Sequence, residues 1–121
     1  MSDILDRWKV DGKGSLAELF RKIAATITNA YPSSMVILFG SYARGEQHEE
    51  SDLDICVLVP VLTERRIDMK VEIRGLIGDM CYDYDLSFDL KLYTYDEFES
   101  ESQYRSTLQH TIKTEGVILS A

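Results

Sequence analysis

The sequence predicts an α/β domain, a small mixed β-sheet flanked by helices. Three observations predict it. Two short apolar runs, MVILF at 35–39 and LDICVLV at 53–59, have the length and composition of buried strands. Apolar stripes at helical spacing stand before, between and after the strand-like segments. From Tyr84 to Leu92 the chain alternates strictly, with Tyr84, Leu86, Phe88, Leu90 and Leu92 on one face and Asp85, Ser87, Asp89 and Lys91 on the other.

The elements follow in order. Ser15 and Glu18 in SLAE form a capping box that opens a helix. Leu16, Leu19, Phe20, Ile23 and Ile27 then recur at i, i+3, i+4, i+7 and i+11, a core-facing stripe that stops near Tyr31-Pro32. MVILF is a strand ended by Gly40, and LDICVLV is a strand ended by Pro60. Between Thr63 and Cys81, the residues Met69, Ile73, Leu76, Ile77 and Met80 keep helical spacing, although Gly75 and Gly78 each cost about 1 kcal/mol relative to Ala. The alternating segment 84–92 is the third strand. Thr94-x-x-Glu97 is a second capping box and starts a short helical turn. Tyr104, Leu108 and Ile112 at i, i+4 and i+8 mark a last helix, with Gly116 as its C-cap.

The 121 residues fit one domain, 1–121, in which residues 1–13 form a leader or arm. Composition is that of a globular chain, 45% hydrophobic and 28% charged, with no stretch near the roughly 18 apolar residues of a membrane span. The start, MSDILDRWKV, carries early charges and no apolar h-region, so it does not read as a secretory signal, and a cytoplasmic location is expected. Ile4, Leu5 and Trp8 share one helical side and serve either as a docking arm or as packing on a sheet edge. Cys56 and Cys81 lack metal spacing and read as reduced structural thiols. A net charge of −8 argues against grasping nucleic acid through its phosphates and suits a basic partner instead.

Residues 38–55, LFGSYARGEQHEESDLDI, ask for more than burial. Read as neighbours on one strand, Asp52 and Asp54 leave the same face with Cα atoms roughly 6.5 Å apart. Carboxylates that close repel each other unless a cation intervenes, and Mg²⁺ meets that need with oxygen ligands drawn from acids and substrate phosphates. Asp89 offers a third carboxylate from the polar face of the 84–92 strand. Three acids around one point suit two metals, or one metal and a general base. Asp85 shares that face and is the rival; Asp89 is preferred because it stands mid-strand, whereas Asp83 and Asp85 lie at an entry that reads as loop.

Gly40 permits a sharp turn and the close approach of a ligand. If Ser41 to Arg44 open a helical turn, their amides and the Ser41 hydroxyl make an anion cradle. Arg44 adds a planar cation suited to phosphate. Taken singly, each feature has a plain reading: a turn between strands, solvated edge charge, Arg44 paired with Glu46 or another surface acid, His48 exposed in a polar loop. His110 is assigned nothing. What favours a site is that turn, acidic pair and third acid fall at the ends of strands that would adjoin in one sheet.

Gly40-Ser41, ten intervening residues and Asp52-x-Asp54 resemble the Gly-Ser…Asp-x-Asp signature of the DNA polymerase β-like nucleotidyltransferase superfamily. The fuller string GSYARGEQHEESDLDICV is similar to its minimal nucleotidyltransferase (MNT) branch, many of whose members are antitoxins paired with HEPN-domain ribonuclease toxins. The resemblance runs from the first long helix to the EGVIL end. It implies the polymerase β-like fold, nucleotide binding at Gly40 and Ser41, and catalytic Mg²⁺, two ions, bound by Asp52, Asp54 and Asp89. Asp89 would also help to deprotonate the attacking hydroxyl. Arg44 matches the Arg-Gly that commonly follows the turn, and Lys91, less expected in this branch, either reaches a phosphate or balances charge. The implied reaction moves AMP from ATP to an acceptor hydroxyl and releases pyrophosphate. Relatives with antibiotic or tRNA acceptors carry extra domains for which 121 residues leave no room, so the expected acceptor is a tyrosine hydroxyl of a HEPN toxin. Two alternatives stand beside it: an antitoxin that neutralises its partner by contact alone, and a transferase acting on a small-molecule hydroxyl.

Overall fold

A computed structural model describes residues 16–48 and 50–119. The expected leader, with Ile4, Leu5 and Trp8, and the Ser15 cap lie outside the described residues. The elements are α1 (Leu16–Ala30), β1 (Met35–Phe39), α2 (Gly40–Arg44), β2 (Leu53–Val59), α3 (Arg66–Asp83), β3 (Phe88–Thr94), α4 (Tyr95–Ser102), α5 (Leu108–Glu115) and β4 (Val117–Ile118). They form a mixed α/β fold around a four-stranded sheet of order β3-β2-β1-β4. β1 runs antiparallel to β2 and β4, while β2 and β3 are parallel, with α3 as the crossover that parallel pairing requires. None of the described helices is long and apolar enough to cross a membrane.

Period-two alternation gives the sheet two unlike faces. Leu53, Ile55, Val57 and Val59 of β2, with Val36 and Leu38 of β1 and Leu90 and Leu92 of β3, meet the apolar stripes of α1 and α3 in the larger core. The α1 stripe is buried as expected, and Tyr42 and Ala43 of α2 plug the same core, Tyr42 edge-on to Phe20. On the opposite face, Ile37, Phe39, Cys56 and Leu58 pack under Phe98 of α4 and Ile112 of α5. α4 opens with the expected capping box, in which Thr94 and Glu97 exchange side-chain and backbone bonds. Glu97 also binds Arg66 at 2.5 Å, and that pair with the Thr94 amide lowers its carboxyl from 4.5 to about 2.

Several expectations need correction. The third strand begins at Phe88, not Tyr84. Residues 84–87 alternate in polarity because they cap a helix: Leu86 N donates to Cys81 O, Asp85 N donates to Tyr82 O, and Asp85 takes the left-handed φ of 55°. This is a Schellman arrangement with a non-glycine residue at its αL position. The buried stripe of α3 is Met69, Ile73, Ile77 and Cys81, so Leu76, 37% exposed, does not belong to it. Tyr104 lies before α5 and is exposed, because Thr107 caps the helix by accepting from the His110 amide. Gly116 does follow α5, but with an extended backbone; its lack of a side chain lets the chain pass Ile112 and Ile37 closely enough to start β4. That two-residue strand is too short to leave a periodic signal.

Candidate active site

The acids gather where the helical cover of the second face runs out. Asp54 is the second residue of β2 and stands in register between Phe39 of β1 and Asp89 of β3. Register partners in a parallel pair project from the same face, so Asp54 and Asp89 are side by side. β1 ends beside them. Gly40, with φ +74°, turns the chain into α2 so tightly against Asp54 that a Cβ would collide with its Oδ2. Ser41 and Arg44 follow in α2, whose N-cap, Phe39, offers no side-chain hydrogen bond.

Asp52 is exposed and precedes β2, which starts at Leu53, so it is not a strand partner of Asp54 as expected. The Ser87 hydroxyl donates a hydrogen bond to Asp52 Oδ1. Asp89 is half-exposed and its Oδ2 lies 3.2 Å from Lys91 Nζ. Burial raises the Asp54 pKa first, then the charges of Asp89 and Asp52; Lys91 and Arg44 pull it partly back. Two neighbouring carboxylates and two basic side chains thus act on one central acid. Arg44 bonds Glu46 at 3.2 Å and Glu115 of α5 at 3.5 Å, the surface pairing that its plain reading anticipates.

Asp85, the rival third acid, is engaged as the αL residue of the α3 cap and lies off the strand, whereas Asp89 stands beside Asp54. His48 is exposed, and its amide donates to Ser51 Oγ. His110 Nδ1 lies 2.9 Å from Ser102 O, within a local helix–helix contact. Cys56 and Cys81 are buried and free; burial pushes Cys56 up to about 12 and Cys81 to about 11, well away from thiolate chemistry. The sequence places Ser87 on the polar face of the third strand but gives it no site role, although its position two residues before Asp89 is a signal for one.

Asp52, Asp54 and Asp89 make an all-oxygen donor set, the type that hard divalent cations take, and Asp54 carries a negative field, only partly offset by Lys91 and Arg44, that such a cation relieves. Among the described residues no three metal-binding side chains already converge. The Lys91–Asp89 pair is at the surface, where an ion pair holds by about 0–1 kcal/mol, so Asp89 can exchange Lys91 for a cation, while the Ser87 hydroxyl engages only one oxygen of Asp52. The set fits Mg²⁺ on donor chemistry.

Comparison with known proteins matches residues 20–114 to the nucleotidyltransferase domain family. A Methanocaldococcus jannaschii relative, MJ1305, named as a candidate protein adenylyltransferase, is 42% identical over 52 residues, covering 43% of this chain and 35% of its own length. The chain spans between about a third and a half of the first curated relatives it matches. A crystal structure of a toxin-antitoxin with AMP-PNP superposes with a TM-score of 0.57 at 25% identity, covering 83% of this chain and 71% of that one. A toxin-antitoxin MntA-HpeT mutant gives the same TM-score of 0.57 at 24% identity, again over 83% of this chain and 71% of the other, a likeness of fold.

Proposed function

The chain belongs to the nucleotidyltransferase domain family, and from that membership we propose that it transfers AMP from ATP to a hydroxyl of a partner protein, as the antitoxin of a HEPN toxin. The observation that carries the reading is the register of Asp54 against Asp89 beside the Gly40 turn. That juxtaposition brings the acids and the Gly-Ser turn to one end of one sheet face. The described residues then serve as one nucleotidyltransferase domain whose acceptor is supplied by a second protein.

Asp52, Asp54 and Asp89 would hold Mg²⁺. When bound, that ion neutralises triphosphate charge and lowers the pKa of the acceptor hydroxyl. Gly40 lets the turn close against the Asp54 carboxylate, and Ser41 offers a hydroxyl and an amide to the phosphates. Asp89 receives the acceptor's proton as the acceptor oxygen bonds to the α-phosphorus. The bond from that phosphorus to the bridging oxygen breaks, and pyrophosphate carries the electron pair away. Lys91, at the polar edge of β3, exchanges Asp89 for a phosphate oxygen. Positioning and charge neutralisation supply most of the rate in such transfers.

The test incubates the chain with Mg²⁺ and α-labelled ATP, with and without the protein encoded beside it, next to an Asp52→Ala/Asp54→Ala double variant. Label on the neighbour that the variant fails to transfer is the expected result. A complex that forms and silences the neighbour equally with the double variant, without label, would establish neutralisation by contact instead. Label appearing on a small hydroxylated molecule, with the neighbour unlabelled, would move the acceptor to that class.

A further inference from the structure

The three acids are not held alike. Asp54 and Asp89 sit in strand ladders that fix their directions, but Asp52 stands exposed one residue before β2 begins. Its carboxylate takes its direction from elsewhere. Ser87 donates its hydroxyl to Asp52 Oδ1, and the Ser87 carbonyl accepts from Leu53 N at 2.9 Å. One residue therefore fixes both the backbone that follows Asp52 and the Asp52 side chain. Its own place is set by the α3 cap, in which Asp85 at φ 55° reverses the chain and Leu86 packs against the core.

We propose that Ser87 is a positioning residue for divalent-cation binding, its hydroxyl aligning Asp52 so that the carboxylate meets a cation shared with Asp54. The proposal rests on the nucleotidyltransferase reading. A neutral hydroxyl suits the task because it orients the carboxylate without competing for its charge, unlike the ammonium of Lys91 at 3.2 Å from Asp89. An unheld surface aspartate would lose rotamer freedom on binding, and the Ser87 bond removes part of that loss beforehand.

The experiment measures Mn²⁺ affinity of the full chain by calorimetry or electron paramagnetic resonance, with and without a non-hydrolysable ATP analogue, for wild type, Ser87→Ala and Ser87→Thr. Ser87→Ala is expected to weaken Mn²⁺ binding about 10-fold and Ser87→Thr by about 2-fold or less, the scale of losing an orienting partner. The Mn²⁺ concentration for half-maximal transfer rises with the Ala variant while the rate at saturating metal holds, and its melting temperature matches wild type. Equal Mn²⁺ affinity in wild type and Ser87→Ala overturns the proposal. So does a Thr variant as weak as Ala, or an Ala variant that melts several degrees lower. A wild-type chain that binds Mn²⁺ but labels no acceptor defeats the transferase reading alone and leaves the Ser87 comparison intact. One that binds no Mn²⁺ in either condition defeats both.

Discussion

The two faces of the sheet are built from the same strands and obey opposite rules. Toward α1 and α3, β1, β2 and β3 present a largely apolar row of side chains, and Ile23, Ile27, Ile55, Ile73 and Leu90 are fully buried there. Toward α4 and α5, β2 presents Asp54, Cys56 and Leu58 in succession, a charge and then two buried residues. The first face is sealed along its length; the second is sealed at one end and left open at the other. Alternation lets one strand serve a core and a reactive edge at once, because a residue on one face imposes no packing demand on the other. The parallel pairing of β2 with β3 then doubles the acid at the open end.

The largest effect on folding is expected from the sealed face. Ile73→Ala removes a fully buried side chain of α3 and should cost about 2–5 kcal/mol of stability. Chemical denaturation reads that loss, while Mn²⁺ affinity per folded molecule stays at the wild-type value. A large fall in affinity with the fold intact would show that the faces are coupled and break the comparison.

Gly40→Ala acts at the seam between the faces. An alanine there must hold φ near +74° and must displace the Asp54 carboxylate that its Cβ would strike. The backbone strain alone is worth about 1–3 kcal/mol. Stability and Mn²⁺ affinity should therefore fall together. A variant that is destabilised but binds Mn²⁺ normally would mean that Asp54 can swing aside and still reach the cation.

Much of this fold is legible in the sequence, and the division follows the physics. The α1 stripe, both apolar strands and the Thr94 capping box rest on periodicity and local hydrogen bonding, which a sequence displays directly. The preference for Asp89 over Asp85 rests on a mid-strand position, but β3 begins at Phe88 and Asp89 is its second residue; what sets Asp89 beside Asp54 is the parallel register. What could not be read depends on the third dimension. Residues 84–87 imitate a strand in polarity, yet a helix cap needs the same pattern of one apolar residue inside and polar ones out. The Ser87–Asp52 bond joins residues 35 positions apart through a crossover, and no local pattern encodes it. The packing role of Gly116 depends on Ile37, far away in the chain.

The smallest effect on folding, and opposite in sign, belongs to Asp54. Its pKa in the fold lies above the ordinary 3.8, raised by burial and by Asp89 and Asp52. Between those two values the native state binds more protons than the unfolded chain, so stability falls as pH rises through that window. Above the folded value the cost is fully present, and at neutral pH the ionised Asp54 works against the fold. Asp54→Asn should therefore melt slightly higher than wild type at pH 7, and the gap should close in acid below 3.8, where both side chains are neutral. The same variant should lose transfer by about 10²–10³-fold, the scale of removing one preorganised electrostatic partner at a reacting centre. Mn²⁺ should raise the melting temperature of wild type and leave the Asn variant nearly unmoved, since a cation stabilises by binding a charge that the amide lacks. A lower melting point for Asp54→Asn at neutral pH would show that its carboxylate supports the fold, and the open end of the second face would then be core after all.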